Sequence, residues 1–213
     1  MSASSCSRNE PVARPWPAGV SLLLLLFLAL TAGCATQRGS ALPDMPDWET
    51  RTAVLAGVET WEFSGRIGVA SGDDGFNGKL WWWQKDDWFR ARVSGPLGVG
   101  TLLIDGDRSG VSVTDKDGAV TRLRDPEVDL RDRYGWTIPV ASLRFWALGI
   151  PDPALPAQTE FGDDGQLTRL VQRDWTVSIA QYAEGGGQSM PRRVTATKDA
   201  ARVRLVIDDW VFR

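Results

Sequence analysis

Two side-chain types that commonly act in catalysis give no sign of doing so here. Histidine is absent, and many of the carboxylates lie in turns. The sequence contains no histidine, which removes the commonest general base, a common zinc ligand and the activating partner of serine or cysteine nucleophiles. Many of its carboxylates cluster in turn sequences such as residues 105–107 and 163–165, where Asp and Gly are favoured for backbone reasons. We therefore expect no enzymatic site, no metal site and no cofactor.

One thiol has a sequence context that indicates covalent modification. Cys34 follows an apolar run and three small residues at 31–33, and two arginines lie upstream. A basic leader, a short apolar stretch and small residues before a cleavage site are typical of an export signal. A cysteine in this position resembles a bacterial lipobox, in which the thiol is acylated and becomes the first residue of the mature chain. We expect residues 1–33 to be a lipoprotein signal peptide, Cys34 to be the lipid attachment site and residues 34–46 to form a lipidated tether.

The residue after Cys34 bears on the destination of the protein. Position 35 is Ala. An Asp at this position would resemble a signal for retention in the inner membrane. We expect a lipid-anchored protein of the outer membrane that faces the periplasm. An ordinary export signal followed by an accidental cysteine is the alternative. The only other cysteine, Cys6, lies in the leader, so the mature chain can form no intramolecular disulfide.

Length and charge narrow the function classes further. Without the leader, 180 residues remain, enough for one domain with a substantial core. They carry 22 basic and 26 acidic side chains, a net charge of −4. Because no basic tail or strong positive charge is present, we expect no nucleic-acid binding. The sequence predicts a single domain over residues 47–213, which we expect to be a monomer.

The hydrophobic pattern predicts a mainly β domain. Asp47 can cap a helix that runs to about Glu59, and period-two alternation begins at Trp61. Including that first strand, eleven strands are predicted. The other ten lie at about 75–84, 87–94, 98–105, 110–114, 119–124, 157–162, 166–172, 174–182, 191–198 and 201–208. Short strands separated by Asp-Gly and similar turns favour an antiparallel barrel or a strongly curved sheet.

Two helices are predicted between the sixth and seventh strands. Asp125 and Pro126 can begin the first, and the second spans about 139–148, where Gly149 stops it. The second helix is apolar over most of its circumference, which predicts contacts on more than one side. It is either a lid over the open end of a barrel or a plain core helix against one sheet face.

Tryptophans supply the candidate ligand site. Trp81 and Trp83 share one face of a predicted strand, whereas Trp82 lies on the other. Either a helix, such as the one that carries Trp48, covers the outside of this strand, or aromatic side chains line a cavity inside. We take Trp83, together with Leu143 and Trp146 of the second helix, as candidates for an apolar cavity.

The segment between the third and fourth strands is also unusual. Residues 94–100 are rich in glycine and proline, yet Leu97 lies at the tip of the turn. A buried loop leucine is one explanation, and an exposed leucine that contacts a membrane or a partner is the other.

Several spaced motifs together resemble the LolB family, the outer-membrane receptors for lipoproteins in Gram-negative bacteria. Besides the lipobox cysteine, they are Phe-Ser-Gly-Arg-Ile-Gly-Val at 63–69, Gly-Lys-Leu-Trp-Trp-Trp-Gln at 78–84, Gly-Pro-Leu-Gly at 95–98, residues 138–149 and Asp-Trp-Val at 209–211. The resemblance covers most of the mature domain.

The resemblance implies an incompletely closed antiparallel β-barrel of about eleven strands, with an α-helical lid that encloses a hydrophobic cavity. It further implies that the protein accepts mature lipoproteins from the periplasmic carrier LolA, holds their acyl chains in the cavity and inserts them into the outer membrane. The partners would be LolA, the cargo acyl chains and outer-membrane lipids. Gly95, Pro96, Leu97 and Gly98 would form the membrane-insertion loop. The alternative is a tethered lipoprotein that binds another hydrophobic ligand, such as a fatty acid or lipopolysaccharide.

Overall fold

The computed structural model describes residues 39–95 and 100–213. Within these ranges the chain forms three helices and one sheet of eleven antiparallel strands. The predicted lipid attachment site Cys34 and the loop residues Pro96, Leu97 and Gly98 lie outside the described residues. The predicted fold class, mainly β with a large antiparallel sheet, is confirmed.

The helices are α1 (Trp48–Ala56), α2 (Pro126–Tyr134) and α3 (Val140–Leu148). The strands are β1 (Thr60–Ser71), β2 (Asp74–Lys85), β3 (Trp88–Ser94), β4 (Thr101–Asp107), β5 (Gly110–Thr114), β6 (Val120–Leu123), β7 (Gln158–Phe161), β8 (Leu167–Gln172), β9 (Trp175–Gly185), β10 (Gln188–Lys198) and β11 (Ala201–Phe212). The predicted strands thus all occur, and β11 extends further towards the carboxyl end than its pattern indicated.

The sheet is an open one. Its spatial order is β6-β5-β4-β3-β2-β1-β11-β10-β9-β8-β7, so β6 and β7 lie at its two edges without pairing with each other. The first and last strands pair along nearly their full length, from Trp61 opposite Phe212 to Ser71 opposite Ala201. This pairing joins two series of hairpins into one continuous sheet. Because its edge strands do not pair, the expected incomplete closure is confirmed.

One face of the sheet carries the core. In β1, Trp61, Phe63, Ile67 and Val69 are buried while intervening residues are more exposed. The residues paired with them on neighbouring strands continue the same apolar face, because side chains alternate along a strand and align across the ladder. We call this the inner face, and the opposite side of the sheet the outer face. The inner face needs a cover, and α2 and α3 supply part of it.

Capping residues explain where the first two helices begin and end. The carboxylate of Asp47 accepts a hydrogen bond from the backbone N–H of Thr50 at 2.7 Å, which holds the pKa of Asp47 below its ordinary value. Helix α1 ends at Ala56 rather than near Glu59, because the N–H of Gly57 turns back to the carbonyls of residues 53 and 54. Helix α2 has Asp125 as its N-cap.

Helix α3 ends as its sequence predicts, at a glycine in the left-handed conformation. Gly149 has φ 77°, and its N–H donates to the carbonyl of Trp146. A Cβ at Gly149 would lie 2.7 Å from Cγ of Pro191 in β10. Backbone conformation and close packing therefore both require glycine at the end of α3.

We expect Gly149→Ala to destabilise the protein more than Gly165→Ala. Gly165 has a similar φ of 74°, but a Cβ added there would have no neighbouring atom within 4 Å. The change at Gly165 should cost about 1–2 kcal/mol for the left-handed backbone, and the change at Gly149 about 1–3 kcal/mol more for overpacking. Urea unfolding measures both, and equal losses of stability would contradict the packing argument.

Candidate functional site

An apolar cavity lies between the inner face of the sheet and the segment that contains α2 and α3. Fifteen residues line it, and all are hydrophobic. They are Ile67, Phe76, Leu80, Trp82, Phe89, Ala91, Val93, Leu102, Ile104, Val113, Leu130, Trp136, Ile138, Val140 and Leu143. Because none of these side chains is titratable, the wall offers a ligand apolar contact rather than charge.

The sheet supplies the larger part of the wall through strand register. Trp82 on β2 lies opposite Ala91 on β3, which in turn lies opposite Ile104 on β4. The Trp82 ring stacks on that of Phe89 at 4.7 Å between centroids. Its indole N–H donates to the side-chain oxygen of Gln84 at 3.1 Å, so the polar edge of the ring is satisfied and the aromatic body is left for apolar contact.

The helical side closes the cavity with aromatic contacts. Trp136, which follows α2, packs against Phe76 of β2 with ring centroids 4.2 Å apart. Tyr134, the last residue of α2, stacks on the same tryptophan at 5.3 Å. Trp136, which is half-buried, thus connects the segment after α2 to the beginning of β2.

The cavity is small. Its volume is about 30 Å³, room for about two water molecules. A long acyl chain does not fit in this space. The helical segment lies too close to the sheet to leave room for one.

The structure places the three predicted cavity residues differently. Leu143 lines the cavity, as expected. Trp83 lies on the outer face, where it contacts the edge of Trp88 at 5.1 Å, and the prediction for it is corrected. Trp82 occupies the cavity position instead, because alternation along β2 directs it to the side of Leu80.

Helix α1 does not cover the outer-face tryptophans. Its Trp48 packs against Phe161 of β7 with centroids 4.9 Å apart, and Arg51 donates to the carbonyl of Ser189 in β10. Trp81 and Trp83 remain half-buried. Of the two explanations for this strand, the aromatic wall inside the sheet is therefore the one that the structure supports.

Trp146 is a core residue that fixes α3 to the sheet. Its side chain is fully buried and lies 6.1 Å from the Trp175 ring. Its indole N–H donates to the side-chain oxygen of Gln172, at the end of β8, at 3.0 Å. Trp146 does not line the cavity, which corrects the second expectation from the sequence.

Gln172 has a structural role that the sequence did not reveal. Only 2% of it is exposed, yet all of its polar capacity is used. Its oxygen also accepts from the N–H of Asp152, and its amide nitrogen donates to the carbonyls of Asp152 and Leu155, each at 2.9 Å. One glutamine therefore ties α3 and the chain after it to β8. A lone glutamine in a strand pattern gives no signal of such a role.

Helix α3 is contacted on two sides, as its apolar circumference predicts. Leu143 faces the cavity, whereas Trp146 packs against the inner face of β9. Six of its nine residues are buried. The lid and the core helix, the two alternatives from the sequence, are thus different faces of one element.

Of the predicted insertion loop, only Gly95 belongs to the described residues. It lines a groove on the outer face together with Arg66, Lys79 and Arg204. Within the described ranges, no helix has the length and hydropathy to span a bilayer.

We expect Trp146→Ala to lower the free energy of unfolding by about 3–5 kcal/mol, because it removes a large buried aromatic side chain. Trp146→Phe should cost less, since it keeps most of the packing and Gln172 still accepts from the N–H of Asp152. Urea unfolding followed by circular dichroism measures both. Near-parental stability of Trp146→Ala would contradict the core assignment.

Solved structures share limited likeness with this chain. A DUF1329 family protein from Desulfovibrio piger aligns with a TM-score of 0.49 at 7% identity, over 76% of this chain and 89% of that one. The LolA superfamily protein NE2245 from Nitrosomonas europaea aligns with a TM-score of 0.44 at 11% identity, over 74% of this chain and 87% of that one.

Sequence relatives are closer. The outer-membrane lipoprotein LolB of Pseudomonas fluorescens is 30% identical over 197 residues, which cover 90% of this chain and 95% of the relative. That of Pseudomonas aeruginosa strain PAO1 is 32% identical over 187 residues, 86% of this chain and 91% of the relative. The family model described as outer membrane lipoprotein LolB matches residues 59–210. The chain therefore belongs to the outer-membrane lipoprotein LolB family.

Proposed function

We propose that this outer-membrane lipoprotein accepts mature lipoproteins from the periplasmic carrier LolA and inserts them into the outer membrane. The observation that carries the proposal is the wholly apolar wall between the sheet and the α2–α3 segment. Cys34 anchors the protein, and the cavity receives the acyl chains of the cargo. Leu97 acts in the insertion step.

The energetics of an acyl chain explain why an enclosed apolar wall is needed. Burial of each CH₂ group contributes about 0.8 kcal/mol, so a single long chain contributes on the order of 12 kcal/mol. No isolated surface patch can shelter that much apolar area in the periplasm. For transfer without an energy source, the cavity must bind acyl chains better than the carrier and less well than the bilayer.

Entry of a chain requires the α2–α3 segment to move away from the sheet. The contacts that hold it near the cavity are chiefly apolar, such as Trp136 against Phe76, and an acyl chain can replace them with similar contacts of its own. The Gln172 hydrogen bonds hold α3 at its other side. Opening at Trp136 with α3 held at Gln172 would admit a chain without loss of the fold.

The direct test is transfer of an acylated lipoprotein from purified, loaded carrier to this protein, followed by incorporation into liposomes. We expect net transfer to this protein at equal concentrations and then to the bilayer. If the carrier strips lipoprotein back from this protein, the affinity order is wrong. Binding of free fatty acid without transfer would support a different hydrophobic ligand.

Leu102→Gln should weaken acceptance, and Leu103→Gln should leave it nearly unchanged. Both are half-buried in β4, but Leu102 lines the cavity whereas Leu103 lies on the outer face opposite Arg92. A buried amide without a partner costs about 1–3 kcal/mol, which predicts about five- to 150-fold weaker binding of a triacylated peptide to Leu102→Gln. Equal effects of the two changes would show that the cavity face has no special role.

Leu97→Glu should block insertion without blocking acceptance. Burial of a single leucine contributes only about 1.5–3 kcal/mol, too little to matter for anchoring a protein that has its own lipid. We therefore infer that Leu97 acts in the step that delivers the cargo to the bilayer. A carboxylate resists entry into apolar surroundings. We expect an unchanged Tm, normal uptake from the carrier and little incorporation into liposomes, with Leu97→Met as the control that retains all three. Normal incorporation by Leu97→Glu would contradict this role.

A further inference from the structure

The outer face of the sheet has a basic groove that the acyl-chain cavity does not explain. The groove has a volume of about 700 Å³, and Arg66 of β1, Lys79 of β2 and Arg204 of β11 line it together with Ser94 and Gly95. The three cationic side chains are exposed. They form a local positive patch on a chain whose mature part has a net negative charge.

Strand register brings these like charges together at a cost to folding. Lys79 lies directly opposite Arg66. On β11, Val206 lies opposite Arg66, and Arg204 is two residues away from Val206. Arg204 is therefore a diagonal neighbour of Arg66. Side chains directly opposite on one face have Cβ atoms about 4.5–5.5 Å apart, and like charges there are destabilising. An anion bound between them would relieve the repulsion.

The cations are available to an external anion. Within residues 39–95 and 100–213, Lys79 and Arg204 form no ion pair, and Arg66 pairs only with Asp208, at 2.9 Å. In that pair 59% and 44% of the two side chains are exposed, and exposed pairs of this kind contribute little. Asp208 can therefore yield Arg66 to a stronger anion. Gly68, which also lines the groove, has no side chain, and the side-chain oxygen of Asn77 lies over it.

We propose that this groove binds the phosphate headgroups of the bilayer and so holds the insertion loop at the membrane surface. The inference rests on the proposed function, because Gly95 at the groove is the first residue of that loop. Phosphate fits the site since arginine and lysine both bind it strongly, and cationic side chains near an anionic membrane surface are favourable.

The test uses the mature chain 34–213 with Cys34→Ala, so that no lipid anchor masks a weaker contact. Its sedimentation is measured with vesicles of phosphatidylcholine with and without phosphatidylglycerol. We expect binding only to the anionic vesicles, and loss of that binding as salt is raised, because salt screens exposed charges.

Lys79→Gln with Arg204→Gln should weaken binding to anionic vesicles about 25-fold, since each cation contributes about fivefold, about 1 kcal/mol. Arg124→Gln with Arg133→Gln is the matched control. Both of these arginines are exposed and lie on the helical side, and their replacement removes the same total charge. Binding should be unchanged in the control.

Equal binding by the groove variant and the control would overturn the proposal, as would a parent chain that does not distinguish the two vesicle types. If the groove variant instead loses uptake from the loaded carrier while vesicle binding persists, the groove is a protein-docking surface and the proposal is wrong. Failure of the proposed function itself would appear separately, as a parent chain that takes no lipoprotein from the carrier.

Discussion

The structure depends on one constraint: the apolar inner face of an open sheet must be covered. Eleven strands place an aromatic and aliphatic surface on one side, and exposure of that surface to water would be costly at about 25 cal/mol per Å². The α2–α3 segment covers it, yet it leaves a small apolar space rather than a fully packed interior. Cover and cavity are thus consequences of the same interaction.

The two ends of the cover are held by different kinds of force. At Trp146, hydrogen bonds to Gln172 add direction to the packing, because each buried donor and acceptor needs its own partner. At Trp136 the contacts are between aromatic rings, which an apolar ligand can replace at little cost. The α2–α3 segment is therefore held by directional hydrogen bonds on one side and by ring contacts on the other.

The outer face of the sheet carries aromatic and charged side chains together. Trp83 and Trp88 pack there beside Arg90, whose guanidinium lies 5.1 Å from the Trp88 ring and pairs with Asp105 at 2.6 Å. Such amphipathic clusters cover apolar surface while they keep charge in water. The inner face of these strands therefore makes apolar contacts, whereas the outer face combines aromatic packing with charged contacts.

The sequence alone determined the local features of this protein. Alternation and turn residues predicted every strand, and Gly149 predicted the end of α3, because these depend on neighbouring residues. The lipobox motif is also local, and lipid attachment at Cys34 stays a prediction. The tertiary structure decided which face of β2 is covered, and so that Trp82 rather than Trp83 lines the cavity. It also decided that Trp146 bonds to Gln172 and that Arg66, Lys79 and Arg204 share one groove. These relations join residues far apart in the chain, and only strand order and register bring them together.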